Sequence, residues 1–494
     1  MLSVKRFESI ANFVQVSVLG VNCLFVMATH VRAQAVPERL GRDDRIGVCT
    51  HFSQNWSVEE IMPLVAKSGA GWIRDDFNWA DLEPTPGNYQ IPSKTKGWIR
   101  AAREMGLKVD LILAYGNPAY TDRYDTAAYA KAAGWLAREG ANDVQAIEIL
   151  NEPNNFGFRK IYGGSWNGNE INGSVSPYLQ KYVQLLNAAA REIKLANPHM
   201  TVIGLGAPAP ASFRMIALGL APQVDGLTDH PYSGSLPELI PYAGTPYFLL
   251  RDGIATADAN GTLASQVSMF RAQARKWGAT EKLWHTEWGY ATVRANPDKH
   301  KPGLSEDTQA VYILRRILES VAIGVERTFI YDFKDDGADP FSAYDNFGLV
   351  KNGRSPKQAY FALQRVTSML AGTDAVAPDK QASIENDADI EKGSLGHRCY
   401  TFSSSDGQRT VIAFWEAKPW EVNATTANAV ITLPATHEPR HIFLYDLLSG
   451  NQTEIPWKRS GENRISITVS ISGAPKLVIY QSAESSSRRR ISNG

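Results

Sequence analysis

Short apolar segments alternate with longer helical patterns through most of the chain, and this alternation constrains the fold more than any other feature. Each apolar segment is too short for an ordinary helix and is bounded by turn residues, which is typical of a buried parallel strand. Eight such segments occur, at residues 46–50, 71–75, 107–114, 144–150, 201–205, 224–228, 282–286 and 325–331.

The segments between these apolar runs carry helix signals. Leu179, Tyr182 and Leu186 recur at helical spacing before Pro198, and Ser305 stands where an N-cap residue would. A strand followed by a helix, eight times, predicts an α/β fold of the (β/α)8 TIM barrel type over residues 36–372. A doubly wound open sheet is the alternative, but no glycine-rich phosphate loop follows the first strand. In a barrel, functional side chains sit at the C-terminal ends of the strands.

The composition and the hydrophobic pattern of the sequence change after Gly372. Residues 373–396 are polar and acidic, and six short runs rich in β-branched and aromatic residues follow, separated by turn signals such as Asp406-Gly407. This pattern predicts a small antiparallel β-sandwich over residues 373–484, which either braces the barrel or binds sugar. Residues 485–494 are expected to form a disordered tail.

The N-terminus has the features of an export signal. Lys5 and Arg6 precede an apolar run over residues 13–28, and Ala33-Gln34-Ala35 has the form of a signal-peptidase site. We therefore expect a signal peptide over residues 1–35, cleavage after Ala35, and a secreted or periplasmic protein without stable membrane insertion. An uncleaved anchor is the alternative.

Composition excludes several classes of function. The 51 basic and 51 acidic residues leave no net charge, which argues against a nucleic-acid partner. Hydrophobic residues make up 44 % of the chain, enough for a packed core. The three cysteines are too few for a disulfide framework, and whether Cys49 pairs with Cys399 stays open, as does the oligomeric state.

Two glutamates end barrel strands on opposite sides of the expected mouth. Glu152 follows the fourth strand and Glu287 ends the seventh. Because strands four and seven face each other across a barrel, the two carboxyl groups can converge on one bound bond. Hydrolysis of a glycosidic bond requires such a pair, one group protonating the leaving oxygen and the other attacking the anomeric carbon.

The strand-four motif Asn151-Glu152-Pro153-Asn154, with a glutamate ending strand seven, resembles clan A of the retaining glycoside hydrolases. The His-Pro-Tyr motif at strand six and the C-terminal sandwich are most similar to glycoside hydrolase family 39. The resemblance implies that Glu152 is the general acid/base, that Glu287 is the nucleophile, and that Asn151 binds the sugar 2-hydroxyl.

The other expected site residues also end strands. Arg74 would orient and ionise the nucleophile, as the strand-two arginine of the clan does, or else pair with its neighbours Asp75 and Asp76. By resemblance, His230 and Tyr232 line the cleft and Tyr232 donates to the nucleophile; a buried structural histidine is the alternative. His285 is expected to support Glu287 from the same strand face, and Glu148 to point outward to a helix. Tryptophans near the mouth are expected to stack on sugar rings, with Trp288 the first choice and Trp56, Trp79 and Trp166 beside it; burial in the core is the alternative for each.

The sequence thus predicts an exported retaining β-glycosidase that acts on a polysaccharide or oligosaccharide, with neither a metal nor another cofactor. Within the clan, β-xylosidase, β-glucuronidase, arabinofuranosidase and cellulase-type activities remain open. A barrel that only binds glycan, and a lyase or aldolase using Lys334, are the alternatives from other classes. The sugar, its linkage and endo or exo action are not predicted.

Overall fold

The structure, a computed structural model, describes residues 41–155, 157–241, 243–296, 303–385, 394–420, 426–434 and 438–481. The expected signal peptide and tail lie outside these residues. The described residues all belong to one compact unit. In the described part, no helix combines the length and the apolar character that a bilayer span requires.

Eight parallel strands close into a barrel in sequence order, with β8 hydrogen-bonded to β1, so the predicted TIM barrel is confirmed. Each of the eight apolar runs contains or overlaps one strand. The strands are β1 Asp43–Cys49, β2 Ala70–Asn78, β3 Lys108–Ala114, β4 Ala146–Ile149, β5 Thr201–Leu205, β6 Gly226–Asp229, β7 Leu283–Trp288 and β8 Arg327–Ile330.

Eleven α-helices are described, and most of them surround the barrel. They are α1 Val58–Lys67, α2 Trp79–Leu82, α3 Ser93–Glu104, α4 Thr126–Glu139, α5 Phe158–Tyr162, α6 Pro177–Ala196, α7 Ala209–Ala217, α8 Pro246–Asp252, α9 Leu263–Trp277, α10 Glu306–Ala322 and α11 Gln358–Leu370. The expected N-cap of α10 is confirmed, because the Ser305 side chain accepts a hydrogen bond from the Thr308 amide.

The predicted antiparallel β-domain is also confirmed. One sheet has the order β10-β13-β17-β16 and the other β15-β14-β18-β12-β11-β9, all paired antiparallel. The strands are β9 Thr373–Ala375, β10 Ser383–Glu385, β11 His397–Ser404, β12 Arg409–Glu416, β13 Ala427–Pro434, β14 Ile442–Asp446, β15 Gln452–Glu454, β16 Lys458–Arg459, β17 Arg464–Ile471 and β18 Lys476–Gln481.

A buried ionic contact joins the sandwich to the barrel. The Arg315 guanidinium of α10 donates to both carboxylate oxygens of Glu238 at 2.7 and 2.5 Å, and to the Lys418 carbonyl at 2.7 Å. Trp415 of β12 also donates to Glu238, at 2.6 Å. Since Glu238 belongs to the long connection after β6, the sandwich supports a loop at the barrel mouth. This contact favours the bracing role expected for the sandwich.

The barrel interior is filled in layers, because alternate residues of each strand point inward. Trp72, Ala146, Trp284 and Phe329 form part of one apolar cluster inside the barrel. Two residues further along three of these strands lie Arg74, Glu148 and Thr286, and Glu148 contacts both of the others. Polar side chains therefore begin inside the barrel and continue to its mouth.

Candidate active site

Glu152 and Glu287 face each other at the C-terminal end of the barrel. One carboxylate oxygen of each, together with one His230 ring nitrogen, forms a group whose atoms all lie within 4.8 Å of one another. Their side chains are 19 % and 12 % exposed, so both glutamates reach a crevice that is open to solvent. The spatial convergence expected from the sequence is present.

The chain leaves β4 through an unusual backbone geometry that aims Glu152 into the crevice. Leu150 and Glu152 have φ angles of 59° and 43°, in the left-handed region that side chains other than glycine rarely adopt. Such positions cost about 1–3 kcal/mol each and are found mainly at functional sites. Asn151, between them, points to the same crevice, where it accepts a hydrogen bond from Arg74 Nη2 at 3.0 Å.

An irregularity in β7 directs Glu287 inward. The pairing register between β7 and β8 shifts between His285 and Trp288. Thr286 points into the barrel, where it contacts Glu148, so strict alternation would turn Glu287 outward. The register shift removes that constraint, and the Glu287 carboxylate meets Arg74 and Tyr232 instead.

Arg74 connects the two halves of the crevice. Its Nη1 lies 3.0 Å from Glu287 Oε2, and its Nε lies 2.6 Å from Glu148 Oε2. The alternative pairing with its sequence neighbours is not what the structure shows, because Asp75 instead accepts hydrogen bonds from Thr50 and from the Phe52 amide.

His230 and Tyr232 approach the two glutamates from the end of β6. His230 Nδ1 lies 2.9 Å from Glu152 Oε1 and 3.8 Å from Glu287 Oε2. The Tyr232 hydroxyl donates to Glu287 Oε1 at 2.8 Å. Each oxygen of Glu287 therefore has a donor, which fixes the orientation of the carboxylate.

Burial and the charges of neighbouring residues shift the pKa values of Glu152, His230 and Tyr232. Burial alone would raise the pKa of Glu152, but the hydrogen bond and charge of His230 outweigh it and lower that pKa. Burial alone would lower the pKa of His230, but Glu287 and Glu152 raise it. Burial, then the charge of Glu287, raises the pKa of Tyr232, so its hydroxyl remains a donor. In this structure the pair of Glu152 and His230 therefore favours the proton on the imidazole.

Three expectations about side chains around the crevice are wrong. Trp288 is 1 % exposed and donates to Thr328 at 2.7 Å, so it belongs to the core between β7 and β8 and offers no face to a sugar. His285 is fully buried and meets Ser320 of α10 at 3.4 Å, on the strand face opposite Thr286. Glu148 points into the barrel toward Arg74 instead of outward.

The other tryptophans near the mouth divide between core and surface. Trp79 is fully buried, and Trp56 is half-buried with the Lys334 ammonium 4.9 Å from its ring centroid. Trp166 is 41 % exposed, in the loop between α5 and α6. Of the tryptophans proposed for sugar stacking, Trp166 has the most open ring.

Sequence reasoning missed Asn155, which donates to Glu152 Oε2 at 2.8 Å. It also missed a group on the β1/β8 side of the mouth, where His51 Nδ1 lies 3.0 Å from Asp336 and 3.8 Å from Asp332. The Asn-Glu-Pro-Asn-Asn run could have indicated Asn155, because a turn after Glu152 brings the later residues of the run back toward its carboxylate. The second combines two distant segments and had no local signal.

Two groups of side chains in the described residues have ligand types and spacing that suit a metal ion. One is Glu152, His230 and Glu287, and the other is His51, Asp332 and Asp336. In the first, the Arg74 guanidinium contacts Glu287 and its positive charge opposes a cation there. In the second, His51 is paired with Asp336, and the neighbouring carboxylates raise the pKa of His51 to about 9 despite its burial, which favours imidazolium over a metal ligand.

Three further residues considered in the sequence analysis, two cysteines and a lysine, have no role in the glutamate pair. Cys49 and Cys399 are both free thiols, Cys49 inside the barrel mouth with its Sγ 3.8 Å from Arg74 Nη1. Lys334 donates to the Asp335 carbonyl at 2.8 Å and to Asn352, so its amine is held by loop atoms.

The fold is similar to solved structures of glycoside hydrolases. A family 39 glycoside hydrolase from the gut symbiont Bacteroides cellulosilyticus WH2 has a TM-score of 0.63 at 22 % identity, over 89 % of this chain and 81 % of that chain. A glucosidase from Croceicoccus marinus has a TM-score of 0.55 at 15 % identity, over 90 % and 97 % of the two chains. A GH30 endoxylanase from Clostridium papyrosolvens C71 has a TM-score of 0.51 at 12 % identity, also over 90 % and 97 %.

No protein-family model matches the sequence, and no curated protein matches it. At these identities the likeness concerns the fold. The strand-end motifs that resemble clan A, and family 39 within it, therefore lie in a chain whose fold is similar to that of a family 39 glycoside hydrolase.

Proposed function

We propose that this protein is a retaining β-glycosidase that hydrolyses O-glycosidic bonds of a polysaccharide or oligosaccharide. The observation that carries the proposal is the approach of Glu152 and Glu287, with an oxygen of each within 4.8 Å of the other. Carboxyl groups about 5–5.5 Å apart suit direct attack on the sugar, whereas ~6.5–9.5 Å leaves room for the water of an inverting enzyme.

In the first step Glu287 attacks the anomeric carbon and forms a covalent glycosyl-enzyme, while Glu152 donates its proton to the departing oxygen. Arg74 and Tyr232 hold the two oxygens of Glu287, so one lone pair is aimed at the sugar before reaction begins. Asn151, which accepts a hydrogen bond from the same Arg74 side chain, would bind the hydroxyl next to the reacting carbon, as the resemblance implies.

In the second step Glu152, now ionised, takes a proton from water, and that water attacks the glycosyl-enzyme. The first step requires a proton on Glu152, which the resting charges place on His230 at 2.9 Å. A bound sugar that excludes water makes a charged pair in the crevice costlier, which favours transfer of this proton to Glu152. Because the pKa of His230 is raised, the pair keeps its proton beyond the ordinary imidazole value of about 6.5, and the activity should decline only at higher pH, where the pair loses this proton.

The proposal is tested by assaying the purified protein on a glycan panel and following the anomeric configuration of the first product by NMR. Retention is expected. Glu287→Gln should abolish turnover and preserve sugar binding, and Glu152→Ala should be slow but rescued by azide on activated substrates. Glu281→Gln, an exposed residue before β7, is the matched control and should behave as wild type.

Inversion of configuration, or substantial turnover by Glu287→Gln, would contradict the mechanism. Sugar binding by the wild type without turnover on any substrate would favour a glycan-binding barrel. The panel should include β-xylosides, β-glucuronides, arabinofuranosides and cellulose-type chains, which correspond to the activities left open by the sequence.

We further propose that the protein is exported, with cleavage after Ala35. Lys5, Arg6, the apolar run and the Ala33-Gln34-Ala35 motif support this. N-terminal sequencing of the protein recovered from medium or periplasm should begin at Val36. Recovery of the intact N-terminus with the membranes would indicate an anchor instead.

A further inference from the structure

Glu148 is a fully buried carboxylate inside the barrel that the mechanism above does not use. It lies on β4, four residues before Glu152, and it is 0 % exposed. A buried charge is costly unless it is paired, so the partners of Glu148 indicate why it is placed there.

Both oxygens of Glu148 are engaged by residues next to the nucleophile. Oε2 accepts from Arg74 Nε at 2.6 Å, and Oε1 accepts from the Thr286 hydroxyl at 3.2 Å. Thr286 is the residue before Glu287, and Arg74 Nη1 contacts Glu287 directly at 3.0 Å. Glu148 therefore holds both the arginine and the strand segment that fix Glu287.

The guanidinium of Arg74 is shared by three partners through three different nitrogens. Nε meets Glu148, Nη1 meets Glu287 and Nη2 meets Asn151. Because the guanidinium is planar and rigid, fixing Nε fixes the direction of both Nη atoms. With Arg74 only 3 % exposed, there is little water to replace a missing partner.

Glu148 and the nucleophile Glu287 both interact with the positive charge of Arg74. If Glu287 were the sole carboxylate on Arg74, the full charge of the guanidinium would stabilise the ionised nucleophile and make it a weaker base. A second carboxylate on the same guanidinium offsets that effect at a distance of a few ångströms.

A neighbouring carboxyl group provides a natural comparison. Asp110 of β3 is also 0 % exposed, but neither of its oxygens has a hydrogen-bond partner among the described residues. Burial, then the charge of Glu148, raises the pKa of Asp110 well above its ordinary value, which favours the neutral form of Asp110. Glu148 and Asp110 are thus two buried acids of one region, and only Glu148 contacts Arg74.

From these contacts we infer that Glu148 is a positioning residue, which orients Arg74 against Glu287 and moderates the charge that Arg74 presents to the nucleophile. The inference rests on the proposed glycosidase function. It adds a residue of the barrel interior, which touches no substrate, to the determinants of the reaction rate and its pH dependence.

The test compares Glu148→Gln, Glu148→Asp and Asp110→Asn by the pH profile of kcat/KM. Glu148→Gln keeps the shape but removes the charge, so the acid limb should move to lower pH by on the order of one unit and kcat should fall about 10-fold or more. Glu148→Asp keeps the charge at a shorter reach, so kcat should fall while the acid limb stays within a few tenths of a unit. Asp110→Asn replaces a neutral group and should leave the profile unchanged.

Thermal unfolding of each variant separates positioning from folding. If Glu148→Gln lowers Tm but leaves the acid limb and kcat of the folded fraction unchanged, the inference is overturned, as it is if Asp110→Asn moves the limb equally. Should Glu148→Gln not fold, an unchanged kcat in Glu148→Asp would overturn it. These outcomes differ from a failure of the proposed function, in which the wild type itself shows no turnover that depends on Glu287.

Discussion

Single residues at the ends of β4 and β6 determine what the crevice can do. Leu150 and Glu152 adopt left-handed backbone angles so that Asn151 and Glu152 both reach the crevice. Tyr232 and Arg74 then hold the partner carboxylate of Glu287, one on each oxygen. The geometry for nucleophilic attack is therefore built before a substrate arrives, which is the condition for efficient catalysis by a fixed nucleophile.

Removal of the Tyr232 hydroxyl should leave the Glu287 carboxylate less well oriented without disturbing the packing of the core. In Tyr232→Phe, Glu287 Oε1 loses its 2.8 Å donor. A hydrogen bond to a charged group contributes about 1.5–3 kcal/mol, so kcat/KM should fall by roughly 10- to 100-fold. Steady-state kinetics measure the change.

Tyr360→Phe is the matched control, because the buried Tyr360 hydroxyl donates to the Leu64 carbonyl, on an outer helix. It should lose some stability and keep its kcat/KM. Equal losses of activity in the two variants would show that the effect of Tyr232→Phe comes from general destabilisation.

At the scale of elements, the loops after the strands decide how much of a substrate is bound. The loop after β4 carries Trp166, whose ring contacts Arg251 of α8, with the guanidinium 5.9 Å from the ring centroid. Asn167 beside it donates to Asp252 at 2.8 Å, so the loops after β4 and β6 are joined. An exposed indole held in one orientation is suited to stack on the apolar face of a sugar ring.

Trp166→Ala should therefore reduce activity on long substrates more than on short ones. We expect kcat/KM on an oligosaccharide to fall about 10-fold, within the range for loss of one stacked ring, and kcat/KM on an aryl monoglycoside to change less than about 2-fold. Trp277→Ala at the end of α9 is the control, because Trp277 is exposed to a similar degree, 46 % against 41 %. Unchanged oligosaccharide kinetics in Trp166→Ala would contradict a stacking role.

Sequence patterns predicted the elements better than their local irregularities. All eight barrel strands and six longer sandwich strands were visible because each is an apolar or alternating run of several residues. Strands such as β9, β10 and β16, of two or three residues, are too short to show a period. They form because a long neighbour such as β11 or β13 pairs with them.

The errors about His285 and Trp288 have one physical cause, which is that strand alternation was extrapolated through a register shift. His285 keeps the face opposite Thr286, as alternation requires, and the irregularity in β7 lies between His285 and Trp288. It places Glu287 in the crevice, where the motif requires it, so Glu287 no longer shares a face with His285, and Trp288 lies in the core. Spacing alone carries no signal for such a shift. The inward direction of Glu148 became visible only when Arg74 was seen beside it.

At the scale of the whole molecule, the contact between barrel and sandwich contributes to stability through a buried charge. Glu238 is fully buried and receives donors from Arg315 and Trp415. Trp415→Phe removes one donor and leaves the packing, so the free energy of unfolding should fall by about 1–3 kcal/mol. Calorimetry should show this as a lower Tm.

Trp420→Phe is the control for this change, because the buried Trp420 Nε1 has no hydrogen-bond partner among the described residues. Loss of that N–H should leave Tm unchanged or slightly raised. A Tm in Trp415→Phe equal to that of the wild type would mean that the bond to Glu238 adds no net stability.

The pH dependence of stability should contain a contribution from Asp229 at the end of β6. Burial raises the pKa of Asp229 to about 7, so the folded protein holds a proton that the unfolded chain releases near pH 4. This stabilisation is complete below about pH 4 and is lost as pH rises through 7. Asp229→Asn imitates the protonated form, so its Tm relative to wild type should rise between pH 4.5 and pH 8.

Asp122→Asn should show the opposite sign. Burial would raise the pKa of Asp122, but hydrogen bonds from Lys181 and Tyr162 outweigh it and lower that pKa. Asp122 thus stabilises the fold once ionised, and its loss should matter more at pH 8 than at low pH. A constant Tm difference for Asp229→Asn across this range would contradict the assignment of its proton.

The carboxylate of Glu238 has a consequence for how this chain can be divided or recombined. A shortened protein ending near Gly372 would keep Arg315 but lose the indole and the Lys418 carbonyl that complete the cluster. The connection after β6, which carries His230 and Tyr232, would lose its contact with the sandwich. The C-terminal sandwich therefore cannot be removed or exchanged freely. Any chimera must supply an equivalent indole and carbonyl to Glu238 and Arg315 to preserve the reactive end of the barrel.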